Sequence, residues 1–479
     1  MERPAIFFRV DANTTIGLGH VVRCIALAQM LQKEFTITFA AREIPAGTGT
    51  DIQQLGFNLL LLENEENFIA LLKKNDIVVL DHYGLDSAYQ KLVKDKGSRL
   101  VCIDDLHDKE FFADLIINHA PGIDATDYHS KPYTQFALGL DYVLLRPPFL
   151  NSPGLSEAKP DSVFVCFGGA DPKNITQLVT AILKDDKRFK SITIVAGTAY
   201  QYMDELKLSI ADDPRFNLFH SITPEVMRDL MAAAELAIVP ASGILQEVLA
   251  AGRQVISGMY VENQKNFFEK YKALDYFISA EYFSKEAIVK AVDLFFKSPV
   301  KLNKRLVDGK SGIRLLKYFK QFQTEDKVLL REALESDLLK TFEWAANSEV
   351  RRFSFNKGTI DFEGHKKWFL AKLNDKHCFY YLGELEQKVF GSIRFDMDGN
   401  TANISYLVDP GFQNRGLGTV LLKKGLDLLL TQSDENISTI CGEVLSENTA
   451  SVKVFQKLGY GVEFNSSTNF VKFSKRIRP

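Results

Sequence analysis

Residues 11 to 20 read Asp-Ala-Asn-Thr-Thr-Ile-Gly-Leu-Gly-His, between the apolar run Ala5 to Val10 and the periodic segment Val21 to Leu31. A buried strand therefore turns through Gly17 and Gly19 into a helix. Unpaired N–H groups at a helix start attract anions, and glycine lets a ligand approach closely. His20 falls on the first helical turn, where a group titrating near neutrality suits a general base. The residues alone leave this open against a capping or core histidine. In Asp81-His82-Tyr83-Gly84-Leu85-Asp86, Tyr83 offers a hydroxyl to a sugar or phosphate. Asp81 and Asp86 read as orienting groups or helix caps, with capping the stronger reading.

The strand, glycine turn and helix pattern recurs at Gly168-Gly169-Ala170-Asp171-Pro172 and at Ala241-Ser242-Gly243-Ile244-Leu245-Gln246-Glu247. Such turns can hold a pyrophosphate on their N–H groups. Glu247 can accept from both hydroxyls of a ribose or serve as a first-turn dipole partner, two readings of equal weight. Asn263 and Gln264 stand at a loop tip, as contacts or as turn and cap residues. In a further strand-to-helix loop, Gln413-x-x-Gly416-x-Gly418 forms another pyrophosphate cradle.

The elements that carry these groups follow from hydropathy. From Ala5 to about Leu150 the apolar runs AIFFRV, FTITFA, FNLLLLE, DIVVLD, RLVCID and DLIIN alternate with helical patterns near Val21, Asn67 and Leu85. That rhythm predicts βαβ units and a parallel sheet, with Asp11 to His20, the Asp81 turn and Asp104-Asp105 on the ligand-binding carboxyl edge. Arg146-Pro147-Pro148, Asn151-Ser152-Pro153-Gly154 and the polar stretch to Pro160 read as a linker, because proline and glycine interrupt both strand and helix. The rhythm then resumes through SITIVAG, NLFH, ELAIVP and QVISGM. A helical tail runs from Lys301 to Phe322, and the polar step Gln323 to Lys327 precedes a new strand at Val328. The expected domains are 1–150, 161–322 and 326–479.

Composition narrows the class of function. The chain has 479 residues, 46% hydrophobic and 25% charged, with a net charge of −3. It carries no electrostatic footprint for nucleic acid or an acidic membrane. Five scattered cysteines (Cys24, Cys102, Cys166, Cys378 and Cys441) read as reduced core thiols and a cytoplasmic location. No paired Cys/His spacing suggests a metal, and no signal-peptide pattern or membrane-length apolar run is present.

The segments IGLGHVVRCIALAQML, DHYGLD, CFGGADP, SGILQE and ENQ, in that order over residues 1–320, resemble the UDP-2,4-diacetamido-2,4,6-trideoxy-β-L-altropyranose hydrolases of pseudaminic acid biosynthesis. A more distant resemblance is to the peptidoglycan glycosyltransferase that makes lipid II. The resemblance implies two Rossmann-like domains in a GT-B arrangement and a metal-independent, inverting hydrolysis of a UDP-sugar. On it, His20 activates water, with Tyr83 and Asn263 near the sugar and its phosphate. Gly17, Gly19, Arg23, Gly168, Gly169, Ser242, Gly243, Glu247 and Gln264 bind substrate, and Ile222 belongs to the backbone loop that holds uracil. Helix N-termini at Gly169 and Ser242-Gly243 would stabilise the departing diphosphate.

Residues 326–479 resemble the GNAT acetyl-CoA-dependent N-acetyltransferases, through the 413–418 cradle together with Glu443-Val444-Leu445-Ser446-Glu447-Asn448, Ser451, Phe455, Lys457, Gly459 and Tyr460. The opening stretch with His365 and Trp368 looks most like amino-sugar acetyltransferases of the same pathway. The resemblance implies an α+β domain in which Leu407 and Val408 line the pantetheine. Gln413, Arg415, Gly416, Gly418 and Thr419 take the pyrophosphate, Asn448 meets the CoA arm, and Glu443 deprotonates the amine through water. Phe455 departs from the pattern, since relatives place a proton-donating tyrosine there. Tyr460 reads as core, and Trp344, Trp368 and Phe390 as pocket or core aromatics. The expectation is a bifunctional enzyme acetylating a UDP-4-amino sugar and then releasing UDP; the alternatives are a GT-B glycosyltransferase with a GNAT partner, or an inactive nucleotide-sugar binding module.

Overall fold

The computed structural model describes residues 3–13, 17–150, 157–297, 306–433, 436–463 and 469–477. It divides into two compact units, Met1–Tyr318 and Phe319–Pro479. Asn151 to Gly154 of the expected linker and the start of the Lys301 tail lie outside the described residues.

The first unit contains two parallel sheets. One is built from β1 (Ala5–Val10), β2 (Thr36–Ala41), β3 (Asn58–Leu61), β4 (Ile77–Asp81) and β5 (Arg99–Ile103). After the short β6 (Glu110–Phe111) come β7 (Leu115–Asn118), the short β8 (His129–Ser130) and β9 (Gln135–Leu138). The strand order β3-β2-β1-β4-β5-β7-β9 is that of a doubly wound sheet, while β6 and β8 pair with each other. The second sheet takes β10 (Lys159–Val165), β11 (Ser191–Ala196), β12 (Phe216–His220), β13 (Ala234–Pro240), β14 (Gln254–Gly258) and β15 (Ile278–Ser279), in the order β12-β11-β10-β13-β14-β15. Alternate residues enter two cores: Val163, Val165 and Phe167 pack with Val179 and Val292, whereas Phe164 and Cys166 pack with Leu245 and Val248. Burial on both faces explains why these strands read as unbroken apolar runs.

The second unit is a seven-stranded mixed sheet of β16 (Val328–Glu332), β17 (Cys378–Leu385), β18 (Lys388–Asp398), β19 (Thr401–Val408), β20 (Thr439–Leu445), β21 (Gly461–Glu463) and β22 (Phe470–Arg476). The pairs are antiparallel except β19 with β20, which run parallel only from Thr401–Thr439 to Ile404–Gly442. Beyond that point the two strands part. The helices Leu417–Gln432 and Thr449–Lys457 contribute Leu421, Leu429 and Phe455 to the core beneath the sheet.

Three sequence expectations need correction. The helical tail does not end at Phe322: the helix Ser311–Lys327 runs through the polar step to the residue before β16. An i to i+4 hydrogen bond from Gln321 to Glu325 (2.8 Å) supports that last stretch, which holds no glycine or proline. Pro147–Leu150 is a helical turn with Phe149 and Leu150 buried, because proline is well suited to a first helical position. Lys159 and Pro160 already belong to β10. None of the five cysteines is in a disulfide, and four of them are buried. No helix among the described residues is long and apolar enough to cross a membrane.

Candidate functional sites

His20 and Asp81 are 61 positions apart in sequence and meet because β4 lies beside β1 and the helix Gly19–Leu31 starts just past the end of β1. His20 Nδ1 lies 2.6 Å from Asp81 Oδ1, and both residues are buried. A contact of this length with a carboxylate favours the proton on Nδ1, and in the neutral ring that tautomer leaves the lone pair on Nε2. Arg23 donates from Nε to Asp81 Oδ2 (2.6 Å) and from Nη2 to Asp81 Oδ1 (2.7 Å). Its Nη1 reaches Asp105 Oδ2 at 3.0 Å, the oxygen that also accepts from Tyr83 Oη at 3.2 Å. Burial opposes the charge on Asp81, but Arg23 and His20 outweigh it and hold the carboxyl well below its ordinary range. Burial and Asp105 push the Tyr83 phenol far up, so it stays protonated as a hydrogen-bond donor. The Tyr83 ring stands edge-on to the His20 imidazole, with centroids 4.5 Å apart.

Asp81 is therefore not a helix cap. It is the last residue of β4 and its oxygens are taken by His20 and Arg23, whereas Asp86 does cap the helix Ser87–Asp95 through Tyr89 N (3.0 Å). Each of the three guanidinium nitrogens of Arg23 contacts Asp81 or Asp105, so its part is to hold two carboxylates. Gly17 has φ of +81° and accepts a left-handed turn that few other residues tolerate. Thr14 to Ile16 lie outside the described residues.

The second sheet brings its own loops to this edge. A Cβ on Gly169 would stand 3.2 Å from Leu18 Cδ1, so the Gly168-Gly169 turn after β10 faces the Gly17-Leu18-Gly19 loop directly. Ser242 caps the helix Gly243–Ala250 by position but makes no side-chain cap bond, and nothing lies within 4 Å of a Cβ on Gly243. Glu247 sits on the second turn of that helix, buried, with Oε1 accepting from Arg146 Nη2 (2.7 Å) and Nε (3.1 Å). The first-turn dipole reading of Glu247 is thus overturned by its position and partner. Gln264 is buried and its Oε1 accepts from Tyr260 N at 3.0 Å, closing its own loop. Ile222 follows β12 and packs, half-buried, on the core that includes Met231 and Leu245. The Asn263 side chain lies outside the described residues.

In the second unit, Gly416 (φ +75°) starts the helix Leu417–Gln432, and a Cβ there would meet nothing within 4 Å. Gln413 and Arg415 stay on their own loop: Gln413 Nε2 reaches Val408 O at 3.5 Å and Arg415 Nη2 reaches Gly411 O at 3.1 Å. Thr419 N bonds back to Gly416 O at 3.1 Å, with the Thr419 side chain buried. Gly418 faces Tyr406, Val408 and Val454 at van der Waals distance. Leu407 and Val408 lie on β19 beyond its parting from β20, and Glu443 is the first residue of β20 past the same point, exposed and opposite Lys472 of β22. Asn448 caps the helix Thr449–Lys457, its Oδ1 accepting from Ser451 N at 3.2 Å. Phe455 and Tyr460 are both core residues, and so is Trp344, whose Nε1 donates to Asp409 at 2.7 Å. Phe390 is fully buried, whereas Trp368 is exposed with the Arg394 guanidinium 4.9 Å above its ring.

The open glycine position at the start of a helix offers unpaired N–H groups to an anion, beside the edge where β19 and β20 stop pairing. Residues 327–461 match the acetyltransferase (GNAT) domain family. The C-terminal region carries a GNAT acetyltransferase domain. Its N-terminal neighbour resembles the UDP-2,4-diacetamido-2,4,6-trideoxy-β-L-altropyranose hydrolase of Campylobacter jejuni, 26% identical over 268 residues, 54% of this chain and 93% of that protein. A spore coat polysaccharide biosynthesis protein of Bacillus subtilis is 26% identical over 331 residues, 64% of this chain and 94% of its own. An uncharacterized protein of Methanocaldococcus jannaschii matches along nearly the whole length, 22% identical over 486 residues, 94% of this chain and 95% of that one. The chain thus joins a region similar to a nucleotide-sugar hydrolase to an acetyltransferase domain.

Sequence reasoning weighed Asp81 as an orienting group but preferred it as a cap, and missed its pairing with His20 and Arg23 as well as Asp105 and Arg146 as partners. Asp81 and Asp105 do carry a signal, since each ends or follows an apolar strand on the ligand edge. Arg146, at the head of the proline turn, carries none.

Proposed function

We propose that the chain is a bifunctional nucleotide-sugar enzyme. The GNAT domain transfers acetyl from acetyl-CoA to the 4-amino group of a UDP-linked 4-amino-4,6-dideoxy-2-acetamido sugar. The first unit then hydrolyses the resulting UDP-2,4-diacetamido sugar to free sugar and UDP. The observation that carries the hydrolase half is the 2.6 Å contact between His20 Nδ1 and Asp81, which frees Nε2 to take a proton from water attacking the anomeric carbon. Tyr83, held protonated beside it, serves as a donor to the sugar or its phosphate. N–H groups at Gly169 and Ser242-Gly243 meet the charge that builds on departing UDP, as preorganised donors can. Glu247 keeps Oε2 for the ribose while Arg146 holds Oε1. In the acetyltransferase half, the Gln413 to Thr419 loop takes the CoA pyrophosphate, the parted β19 edge at Leu407 and Val408 takes the pantetheine, and Glu443 receives the amine proton through water.

The reading is supported by the relatives' names, by the GNAT match and by the chemical fit of the two halves, one yielding the other's substrate. Mass spectrometry of products from a panel of UDP-4-amino sugars with acetyl-CoA tests it. Free diacetamido sugar and UDP are expected with no acceptor present, and their loss in His20→Phe. A requirement for an added acceptor identifies a glycosyltransferase instead, and unchanged turnover in His20→Phe removes that residue from the chemistry.

A further inference from the structure

The acetyltransferase half lacks an obvious proton donor for the departing thiolate. Phe455, where related enzymes carry a tyrosine, is only 1% exposed, stacks on Phe473 with centroids 4.9 Å apart and meets Tyr460 edge-on at 5.0 Å. Its ring tip is pressed against the backbone of β20, where a Cβ on Gly442 would lie 2.5 Å from Cζ. No space remains there for a hydroxyl. Tyr460, buried against that ring, leads into β21, which β20 and β22 separate from β19 in the sheet.

Tyr406 is placed differently. It lies on β19 two residues past the last pair with β20 and two before Val408, so it flanks the stretch where the strands have parted. Ile404, Tyr406 and Val408 alternate along β19 onto the face packed on the helices and are half-buried, and Tyr406 and Val408 lie past the last pair with β20. The Tyr406 ring passes 3.6 Å from the Cβ position of Gly418, beside the diphosphate cradle. Its hydroxyl lies 2.9 Å from Ser451 Oγ, on the first turn of the helix that Asn448 caps. The phenol thus stands between the cradle, the parted edge and a second hydroxyl.

From this geometry we propose that Tyr406 is the proton donor to the CoA sulfur, with Ser451 as its relay; the inference rests on the acetyltransferase reading given above. The amine nitrogen bonds to the thioester carbonyl carbon and loses its proton to water. The C–S bond then breaks with its electron pair going to sulfur, and the Tyr406 O–H proton passes to that sulfur, giving free CoA thiol. The Ser451 hydroxyl turns to donate to the tyrosyl oxygen and, drawing on solvent, returns the proton the amine released. A hydroxyl hydrogen rotates freely between such partners. Burial pushes the Tyr406 phenol up to about 12, which keeps the donor proton in place throughout the neutral range. A thiolate in the same dry crevice is likewise disfavoured, so its affinity for that proton rises.

The test uses the full chain and two readouts. With CoA alone bound, the thiol is titrated by its ultraviolet thiolate absorbance in the parent, Tyr406→Phe and Ser451→Ala proteins. Tyr406→Phe is expected to raise the bound thiol's pKa by roughly one to two units, the worth of one hydrogen bond to a charged group. CoA affinity and Tm should stay near the parent values. Ser451→Ala should shift it in the same direction by less, and serves alone if Tyr406→Phe does not fold. In turnover with an accepted amine, Tyr406→Phe should lower kcat about 10²-fold at constant KM for acetyl-CoA. An unchanged bound-thiol pKa with kcat within twofold of parent overturns the proposal. If the parent acetylates no UDP-amino sugar, that reading of the substrate fails, while the CoA titration still decides the role of Tyr406.

Discussion

On the proposed hydrolysis, His20 acts as a base only in the tautomer that Asp81 selects. Asp81→Asn keeps the shape but can present an N–H to Nδ1, driving the proton to Nε2 and removing the base. The expected loss is about 10²–10⁴-fold in kcat for UDP release, with KM changed only a few-fold. Arg23 also loses a charged partner, so Tm should fall, and the kinetics belong well below it. An Asp81→Asn enzyme turning over at the parent rate would sever the dyad from catalysis. His119 makes a second residue-scale prediction. It is buried after β7, with Nδ1 accepting from Leu144 N at 3.2 Å. Desolvation, aided by the charge of Arg23 and opposed by Asp105 and Asp81, pushes its pKa down to about 3. The unfolded chain binds a proton below about pH 6.5 that the native state refuses until about pH 3, so stability falls as pH drops through that window. Tm should therefore fall more steeply from pH 7.5 to pH 5 in the parent than in His119→Gln. Parallel Tm curves from thermal melts would contradict this.

At the scale of elements, the glycine turns are joints that close contacts enforce. A Cβ on Gly197, after β11, would lie 2.5 Å from both Gly168 O and Gly169 O, backbone that cannot step aside without moving the loop opposite Leu18. Gly197→Ala is expected to raise KM for the UDP-sugar and Ki for UDP by roughly tenfold or more while leaving acetyl transfer intact, since small displacements of a binding loop are costly. Unchanged UDP inhibition would show that this turn does not touch the nucleotide. The turn itself was legible in the sequence, as were the buried strands, because an apolar run ending in Gly or Asp has few other readings in an α/β chain. Less legible were Ala46–Gln54, a helix whose two glycines mask its period, and the helical end at Gln323 to Lys327, whose polarity imitates a loop. Asp81 was misread for a different reason. A strand-end aspartate before a helix looks like a cap, and only the neighbouring of β1 and β4 shows that it faces His20 instead.

For the whole molecule, the reading orders two reactions in one chain, and their order can be observed without separating the parts. Acetylation must precede hydrolysis if the first unit prefers the diacetamido sugar. Full-length His20→Phe, given UDP-4-amino sugar and acetyl-CoA, should then accumulate the acetylated UDP-sugar while releasing CoA at the parent rate. Gly416→Val gives the converse. A β-branched residue is strained at φ +75°, so the cradle distorts and CoA release should fall steeply, while UDP release from previously acetylated substrate continues unchanged. The two variants mixed should restore the full conversion, because the acetylated intermediate diffuses through solvent. Chromatography of the nucleotide pool over time follows all three species. If the parent releases UDP from the free amine as fast without acetyl-CoA as with it, the acetyl group is not what the first unit recognises. The GNAT domain would then serve some other amine.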